Sequence, residues 1–283
     1  MNILILGVSG MLGSAMLHYL SGAHEVMGTA RDPSSTDHFS EQLSKKIISN
    51  VDVFNSSQLE QILKAFQPQV VINCIGIIKQ VEGTEDPLIT LPANAMFPHQ
   101  LARTCEALGV RVIHISTDCV FSGDKGQYTE QDVSDARDLY GKSKFIGELS
   151  DYPHCITLRT SIIGHGVTSN KSLVDWFLAQ VGTVEGYTNA IYSGLPTIEL
   201  ARIIDELILP DDTLEGLYHV SSKPISKFNL LKLIKDAYGS TTQIIPNNEI
   251  VIDRSLNCSQ FTHATSYETK EWVALIDEMH KSR

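Results

Sequence analysis

Glycine at every third position directly after an apolar tetrapeptide is the feature that most narrows what this chain can fold into. Ile3-Leu4-Ile5-Leu6 runs into Gly7-Val8-Ser9-Gly10-Met11-Leu12-Gly13. A short apolar run ending in glycine reads as a buried strand, and Met11 to Leu20 reads as a helix. In a strand-turn-helix unit Gly7 supplies the tight turn, Gly10 lets backbone approach a pyrophosphate, and Gly13 permits close packing of helix on strand. The free N–H groups at the helix end then face the anion. Ser9, Met11 and Leu12 lie in the same turn and join Gly7 and Gly10 as candidate cofactor contacts. The spacing differs by one residue from the commonest dinucleotide fingerprint, G-x-G-x-x-G.

The first half continues the alternation. Strands are expected at Glu25–Thr29, Ile47-Ile48, Val70–Cys74, Arg111–Ile115 and Cys155–Leu158. Helices are expected from a Ser57/Glu60 capping box to about Phe66, over Pro92–Leu108, and over Tyr140–Leu149. Such alternation signals a parallel sheet with crossover helices. Beyond Arg159 the periodicity is less regular, with helical patterns at Ser172–Val181, Ile198–Leu209, Phe228–Ala237 and Glu271–Met279. The expected fold class is α/β: a doubly wound parallel sheet, a Rossmann dinucleotide-binding domain, over residues 1–160. Residues 161–283 form a smaller, irregular C-terminal substrate lobe, some segments of which return to the first domain. That lobe would cover the carboxyl ends of the strands, where ligands bind in such sheets.

The end of the second expected strand bears on cofactor choice. Arg31 can pair with a 2'-phosphate and favours NADPH, whereas the adjacent Asp32 could hold the ribose hydroxyls of NADH and keeps that cofactor open. Asp52 and Val53 are placed to flank the adenine. Cys74, Ile75 and Gly76 end the fourth strand, where backbone must lie close to the ribose and nicotinamide.

Charge and cysteine usage exclude several alternatives. The formal net charge of −11 over 283 residues disfavours nucleic acid or an anionic membrane surface as a partner. The apolar start is too short for a signal peptide, and no apolar segment approaches the ~20 residues of a membrane span. Cys74, Cys105, Cys119, Cys155 and Cys258 are scattered without a C-x-x-C pair, which fits reduced thiols in the cytoplasm. The histidines form no ligand-spaced cluster, so no metal site is expected.

Chemistry enters with Tyr140 and Lys144. Four residues apart on a helix they share a face, and an ammonium beside a phenol lowers its pKa from near ~10 toward a useful acid-base range. Such a pair can hand a proton to an alkoxide. The strand at Arg111–Ile115 delivers Ser116-Thr117-Asp118-Cys119-Val120-Phe121 to the same edge of the sheet, where a hydroxyl can hydrogen-bond a substrate carbonyl.

With these residues in place, the chain resembles the extended short-chain dehydrogenase/reductases, and more closely the dTDP-4-dehydrorhamnose reductase family. The matching segments also include Tyr128–Asp132, Gly147-Glu148, Leu158–Ser161, Gly194–Thr197 and Gly216–Val220, in family order over most of the chain. The resemblance implies reduction of a nucleotide-linked 4-keto deoxy sugar. Hydride would come from reduced nicotinamide, Thr117 would bind the keto oxygen, Tyr140 would donate the proton, and Lys144 would tune Tyr140 and hold the nicotinamide ribose. Asp118 and Cys119 would contact the sugar. Asn170, Lys171 and Arg254, with Lys223, are candidate contacts for the substrate in the second lobe. Cys119 stands where these reductases commonly carry tyrosine and reads as a small apolar wall in preference to a reactive thiol. Ala136-Arg137 replaces a proline usual before the catalytic tyrosine. Position 119 also lacks the glutamate that the related 4,6-dehydratases need. An NAD-retaining 4-epimerase, a non-catalytic NADP-binding regulatory subunit and a homodimeric assembly stay open.

Overall fold

Strands β1 (Asn2–Leu6), β2 (Glu25–Thr29), β3 (Ile47–Ile48), β4 (Val70–Asn73), β5 (Arg111–Thr117) and β6 (Cys155–Thr160) follow the alternation of the first half. The computed structural model describes residues 1–79, 83–167 and 172–282. Between the strands lie α1 (Met11–Leu20), α2 (Glu41–Ser44), α3 (Ser56–Phe66), α4 (Pro87–Leu91), α5 (Phe97–Leu108) and α6 (Leu139–Ile146). The second half adds β7 (Ile162–Ile163), β8 (Thr183–Tyr192), β9 (Leu195–Pro196), β10 (Gly216–His219), β11 (Ile225–Ser226) and β12 (Gln243–Asp253). Its helices are α7 (Leu173–Leu178), α8 (Thr197–Ile203), α9 (Lys227–Tyr238), α10 (Ser259–Thr265) and α11 (Trp272–Lys281).

Among the described residues the main sheet has seven strands in the order β10-β6-β5-β4-β1-β2-β3, every pairing parallel. From β1 the chain moves outward through β2 and β3, then returns to β4 and runs the other way. That reversal opens a crevice at the carboxyl ends of β1 and β4, the topological switch point of such sheets. β10 comes from the second half of the chain yet pairs with β6, Tyr218 beside Leu158. All residues of β4 and β6 are buried, because helices cover both faces of a parallel sheet.

On one face Met16, Leu17 and Leu20 of α1 pack with Ile3 and Ile5 and with Leu200 and Ile204 from the α8 region. Complete burial of each such side chain contributes roughly 1.5–3 kcal/mol. On the other face Leu4 and Leu6 meet Leu59 and Leu63 of α3 and Leu101 of α5. A third core joins Val184 and Tyr192 of β8 to Leu230 and Ile234 of α9 and Trp272 and Ile276 of α11. It supports the small sheet β11-β8-β12, in which β12 runs parallel and β11 antiparallel to β8.

Three local expectations need correction. Helix α3 is capped by Asn55, whose side chain accepts from the Gln58 N–H at 3.2 Å, so the Ser57/Glu60 box is not its start. The single helix expected over Pro92–Leu108 is interrupted by a π-helical turn at Pro92–Met96, since Pro92 and Pro98 both lack an N–H to donate along the helix. The helix carrying Tyr140 begins at Leu139 and ends at Ile146, with the Asp138 carboxylate accepting from the Gly141 N–H at 2.8 Å as its N-cap.

Candidate active site

The glycine turn is built as its spacing requires. Gly7 adopts φ +86°, and a Cβ on Gly13 would overlap the Gly7 carbonyl oxygen, so strand and helix approach to backbone contact. Gly10 caps α1 without a side-chain hydrogen bond, which leaves N–H groups of the first turn directed out of the helix end. These features fit a pyrophosphate. Ser9, Gly10, Met11 and Leu12 line the cleft above the sheet, and Cys74, Ile75 and Gly76 line it from the end of β4. Gly7 lies beneath this wall. Arg31, Asp52 and Val53 are not among the described lining residues and stand farther out along the β2 and β3 side.

Arg31 is exposed. The neighbouring Asp32 is engaged in capping: its carboxylate accepts from the N–H and hydroxyl of Ser34, both at 2.9 Å, and these bonds hold its pKa below the usual value. Asp32 is thereby committed within the protein, whereas the Arg31 guanidinium makes no hydrogen bond or ion pair among the described residues. The Asp52 carboxylate likewise accepts from the Phe54 N–H at 3.0 Å.

Thr117 ends β5, and its hydroxyl accepts from the Cys119 N–H at 3.1 Å, fixing the turn Asp118–Val120. Helix α6 lies directly on that turn. A Cβ on Gly141 would overlap the Cys119 carbonyl oxygen, so this glycine allows the approach that brings Tyr140 to Thr117. Thr117, Asp118, Cys119, Tyr140 and Lys144 all line one cleft of about 570 Å³ with the glycine turn. Burial raises the Tyr140 phenol above its ordinary value, and Cys119, Asp118 and Asp138 add to this while the Thr117 hydroxyl opposes it. Tyr140 therefore holds its proton at neutral pH, the form needed to donate one.

Lys144 does something other than the spacing suggests. Its ammonium donates to the Ile115 carbonyl at 2.7 Å and lies 3.5 Å from His114 Nε2. Burial lowers its pKa to about 8, with the charge of Glu148 the largest opposing influence. Among the described residues the Lys144 ammonium makes no hydrogen bond to the Tyr140 phenol, and burial is the largest influence on that phenol. Tyr140 and Lys144 line the same cleft, and the ammonium is turned to the Ile115 carbonyl at the end of β5.

Three side chains missed in the sequence complete the arrangement. Asn94, in the π turn, is fully buried and clamps the loop after β4: its carbonyl oxygen accepts from the Ile77 N–H at 2.8 Å, and its amide donates to the Ile77 carbonyl at 2.9 Å and the Ser143 hydroxyl at 3.2 Å. The two prolines bracketing Ala93-Asn94-Ala95 are the signal that could have marked a break there. Beneath the floor, Arg159 of β6 forms a two-point pair with Glu148, 2.7 Å at each contact, and Glu148 accepts from the Ser116 hydroxyl at 2.8 Å. Both Arg159 and Glu148 are buried.

The substrate candidates divide. Burial raises the pKa of Asp118, which Arg254 opposes, and pushes the Cys119 thiol up to about 12, so Cys119 is a neutral wall at physiological pH. Arg254 donates to the Phe121 carbonyl at 2.8 Å and reaches the Cys119 sulfur at 3.8 Å, behind the cleft wall. Lys223 is bonded to Glu271 at the surface. Asn170 and Lys171 lie outside the described residues. Among the described residues no group of His, Cys, Asp and Glu side chains could hold a metal ion.

A seven-stranded parallel sheet with a glycine turn at its switch point and a Tyr-x-x-x-Lys helix at its carboxyl edge defines a dinucleotide-binding protein of the short-chain dehydrogenase/reductase type. More narrowly, the chain belongs to the family described as RmlD substrate binding domain, whose model matches residues 1–281. It is 28% identical over 207 residues to a dTDP-4-dehydrorhamnose reductase of Mycobacterium tuberculosis, a match covering 68% of this chain and 66% of that protein. A methionine adenosyltransferase 2 subunit beta from Danio rerio is 26% identical over 264 residues, covering 88% of this chain and 77% of the relative. Among solved structures, a Bacillus anthracis dTDP-4-dehydrorhamnose reductase in complex with NADP superposes with a TM-score of 0.82 at 20% identity, covering 100% of this chain and 98% of the other. The matched span of the first of these relatives is thus about two thirds of its length, and the structural likeness speaks for the fold.

Proposed function

We propose that this protein uses NADPH, with NADH admitted as a weaker alternative, to reduce the 4-keto group of a nucleotide-linked deoxy sugar. The observation that carries this reading is the convergence of Thr117, Tyr140 and Lys144 on one cleft with the glycine turn. When bound, the nicotinamide supplies a hydride to the carbonyl carbon. The protein's own residues would handle the oxygen: Thr117 holds it by a hydrogen bond, and Tyr140, protonated at neutral pH, delivers the proton as the carbonyl becomes a hydroxyl. Lys144 would hold the ribose, with its ammonium already oriented by the Ile115 carbonyl. Gly7, Ser9, Gly10, Met11 and Leu12 would bind the pyrophosphate, Asp52 and Val53 the adenine, and Cys74, Ile75 and Gly76 the nicotinamide side. Arg31 would meet the 2'-phosphate, because Asp32 beside it is occupied with Ser34. Residues after 160 would supply most of the sugar-nucleotide contacts, with Arg254 backing the Cys119 wall. Free cysteines at all five positions suit a cytoplasmic location, and among the described residues no helix is long and apolar enough to cross a membrane.

The relatives called methionine adenosyltransferase 2 subunit beta favour a second reading, in which the chain binds a partner enzyme and turns over no sugar. The two readings separate in one assay. Loss of nicotinamide absorbance is followed with 4-keto-6-deoxy sugars on dTDP, UDP and GDP carriers, with product analysis. Stoichiometric NADPH oxidation by the wild type, reduced on the order of 10²-fold or more in Tyr140→Phe while NADPH still binds, is the expected result. Full activity in Tyr140→Phe would overturn the assignment of the proton donor. A 4-epimer formed without net NADPH loss would make the protein an epimerase, and tight NADPH binding with no conversion would favour the binding subunit.

A further inference from the structure

Two lysines besides Lys144 line the cleft, and of these Lys79 is paired with Asp138 while Lys227 has no ion-pair partner among the described residues. Lys227 opens helix α9, directly after its N-cap Ser226, and it lines the cleft on the second-lobe side together with Tyr192 and Ser161. Its ammonium lies 4.0 Å over the Tyr192 ring. Among the described residues it makes no ion pair and no hydrogen bond. Asp118 and Cys119, on the facing wall, are the charged or ionisable groups that act on it, and neither is bonded to it.

This is an unfavourable place for a lysine. The first turn of a helix carries the positive end of the helix dipole, which disfavours a cation. Burial in the cleft adds a desolvation cost and lowers the pKa of the group. An ordinary structural lysine would relieve both by pairing with a carboxylate or by extending its head into water. Lys227 forms no such pair among the described residues, and its side chain is only partly exposed. It rests on an aromatic face, which holds an ammonium in place without using its N–H donors as a carboxylate would. The result is a triple donor held on the wall of the cleft that Asp118, Thr117 and Tyr140 also line. Local departures from stable placement of this kind belong to sites of function.

We propose that Lys227, seated on Tyr192, is a specificity-determining residue that donates a hydrogen bond to a ring hydroxyl of the bound sugar, so that the cleft selects sugars keeping a hydroxyl near the ketone over their deoxygenated analogues. The ligand is neutral at this point. Asp118 already offsets the charge of Lys227 across the cleft, so a hydroxyl fits between them better than a second carboxylate. A hydroxyl can accept from the ammonium and donate to the carboxylate at once. The inference rests on the keto-sugar reading above and concerns only which sugar that site admits.

The test compares wild type, Lys227→Met and Lys227→Arg against nucleotide-linked 4-keto sugars carrying hydroxyls at C2 and C3 and against the 2-deoxy and 3-deoxy analogues. NADPH affinity and thermal midpoint are measured alongside, and calorimetric binding of the corresponding 4-hydroxy nucleotide sugars gives a readout independent of turnover. The wild type is expected to prefer the hydroxylated sugar over at least one deoxy analogue by about tenfold or more, the size of one hydrogen bond to a charged group. Lys227→Met should erase that preference by raising KM for the hydroxylated sugar, leave NADPH affinity unchanged, and hold or raise the melting temperature, because it removes an unpaired, half-buried cation from a helix start. Lys227→Arg should restore part of the preference. Equal losses of Lys227→Met toward hydroxylated and deoxy sugars, or a fall in its melting temperature with discrimination intact, would overturn the proposal and make Lys227 structural. A wild type that turns over no keto sugar yet binds the 4-hydroxy forms with Lys227-dependent discrimination would sink the reductase reading and support this inference. Absence of both turnover and binding would reject both.

Discussion

The seven-stranded sheet and the three-stranded sheet treat their strands in opposite ways. Every residue of β6 is buried, while most of β12 faces water, with Val251 79% exposed and Ile245 52% exposed. The main sheet is covered on both faces, so any polar group inside it must be paired, and Arg159, Glu148, Ser116 and His219 are joined in one buried network. The small sheet buries one face only and tolerates charge and irregular register, including the shift between Asn247 and Val251. The candidate site lies where the two meet. Rigid, doubly buried strands fix the groups that would do the chemistry, and the half-exposed lobe supplies Tyr192 and Lys227 on the side that would choose the substrate.

The strongest challenge to this contrast is Arg159→Met. Removing the arginine leaves the Glu148 carboxylate buried without its two-point partner, a loss of about 3–5 kcal/mol. Urea unfolding should show it, and Glu148→Gln added to Arg159→Met should recover a large part. A loss below about 1 kcal/mol would mean that water reaches the pair and that the main sheet is less closed than its burial indicates.

A smaller effect is expected at the rim of the same half. Arg31→Ala should remove a charge-assisted contact to the 2'-phosphate worth ~1.5–3 kcal/mol, which is roughly 10- to 100-fold in NADPH affinity, and leave NADH affinity unchanged. Titration of both reduced cofactors checks this. Equal affinities in the wild type would show that Arg31 remains in solvent.

The pH dependence isolates a single group in the fixed wall. Burial lowers the Lys144 pKa to about 8, below its unfolded value, so its ammonium is present at neutral pH and is lost as pH rises through that value. Tyr140 is shifted upward and keeps its proton over the same range. The value of kcat/KM for NADPH, which reports the free enzyme, should therefore fall by about tenfold per pH unit above about pH 8. A profile flat to pH 10 would place Lys144 in a more polar setting.

The least effect belongs to the small sheet. Val251→Thr, at an exposed position of β12, should change stability by no more than about 0.5 kcal/mol in the same urea experiment. A substantially larger loss would show that the exposed face of this lobe is covered in solution, and the contrast between the two sheets would then be one of partners instead of burial.

What the sequence determined on its own follows from local rules. Ile3-Leu4-Ile5-Leu6, Val70-Val71-Ile72 and the apolar start of β6 are legible as strands because burial on both faces demands continuous apolar runs. The glycine turn is legible because its steric needs fall within seven residues, and Tyr140 and Lys144 are legible as a pair because a helix sets their face. Tertiary structure alone decided the rest. Strands β8 and β12 lie between the helical patterns of the second half and carry no strand signal of their own, since a half-exposed strand such as Thr183-Val184-Glu185-Gly186 keeps few obligatory apolar positions. β10 joins the main sheet from more than fifty residues after β6, a pairing that no local pattern encodes. The direction of the Lys144 ammonium depends on a carbonyl 29 residues away. The seat of Lys227 on Tyr192 arises only when β8 and α9 pack together. Each of these depends on where distant backbone comes to lie, and the energies that place it are summed over whole cores instead of written in the neighbouring residues.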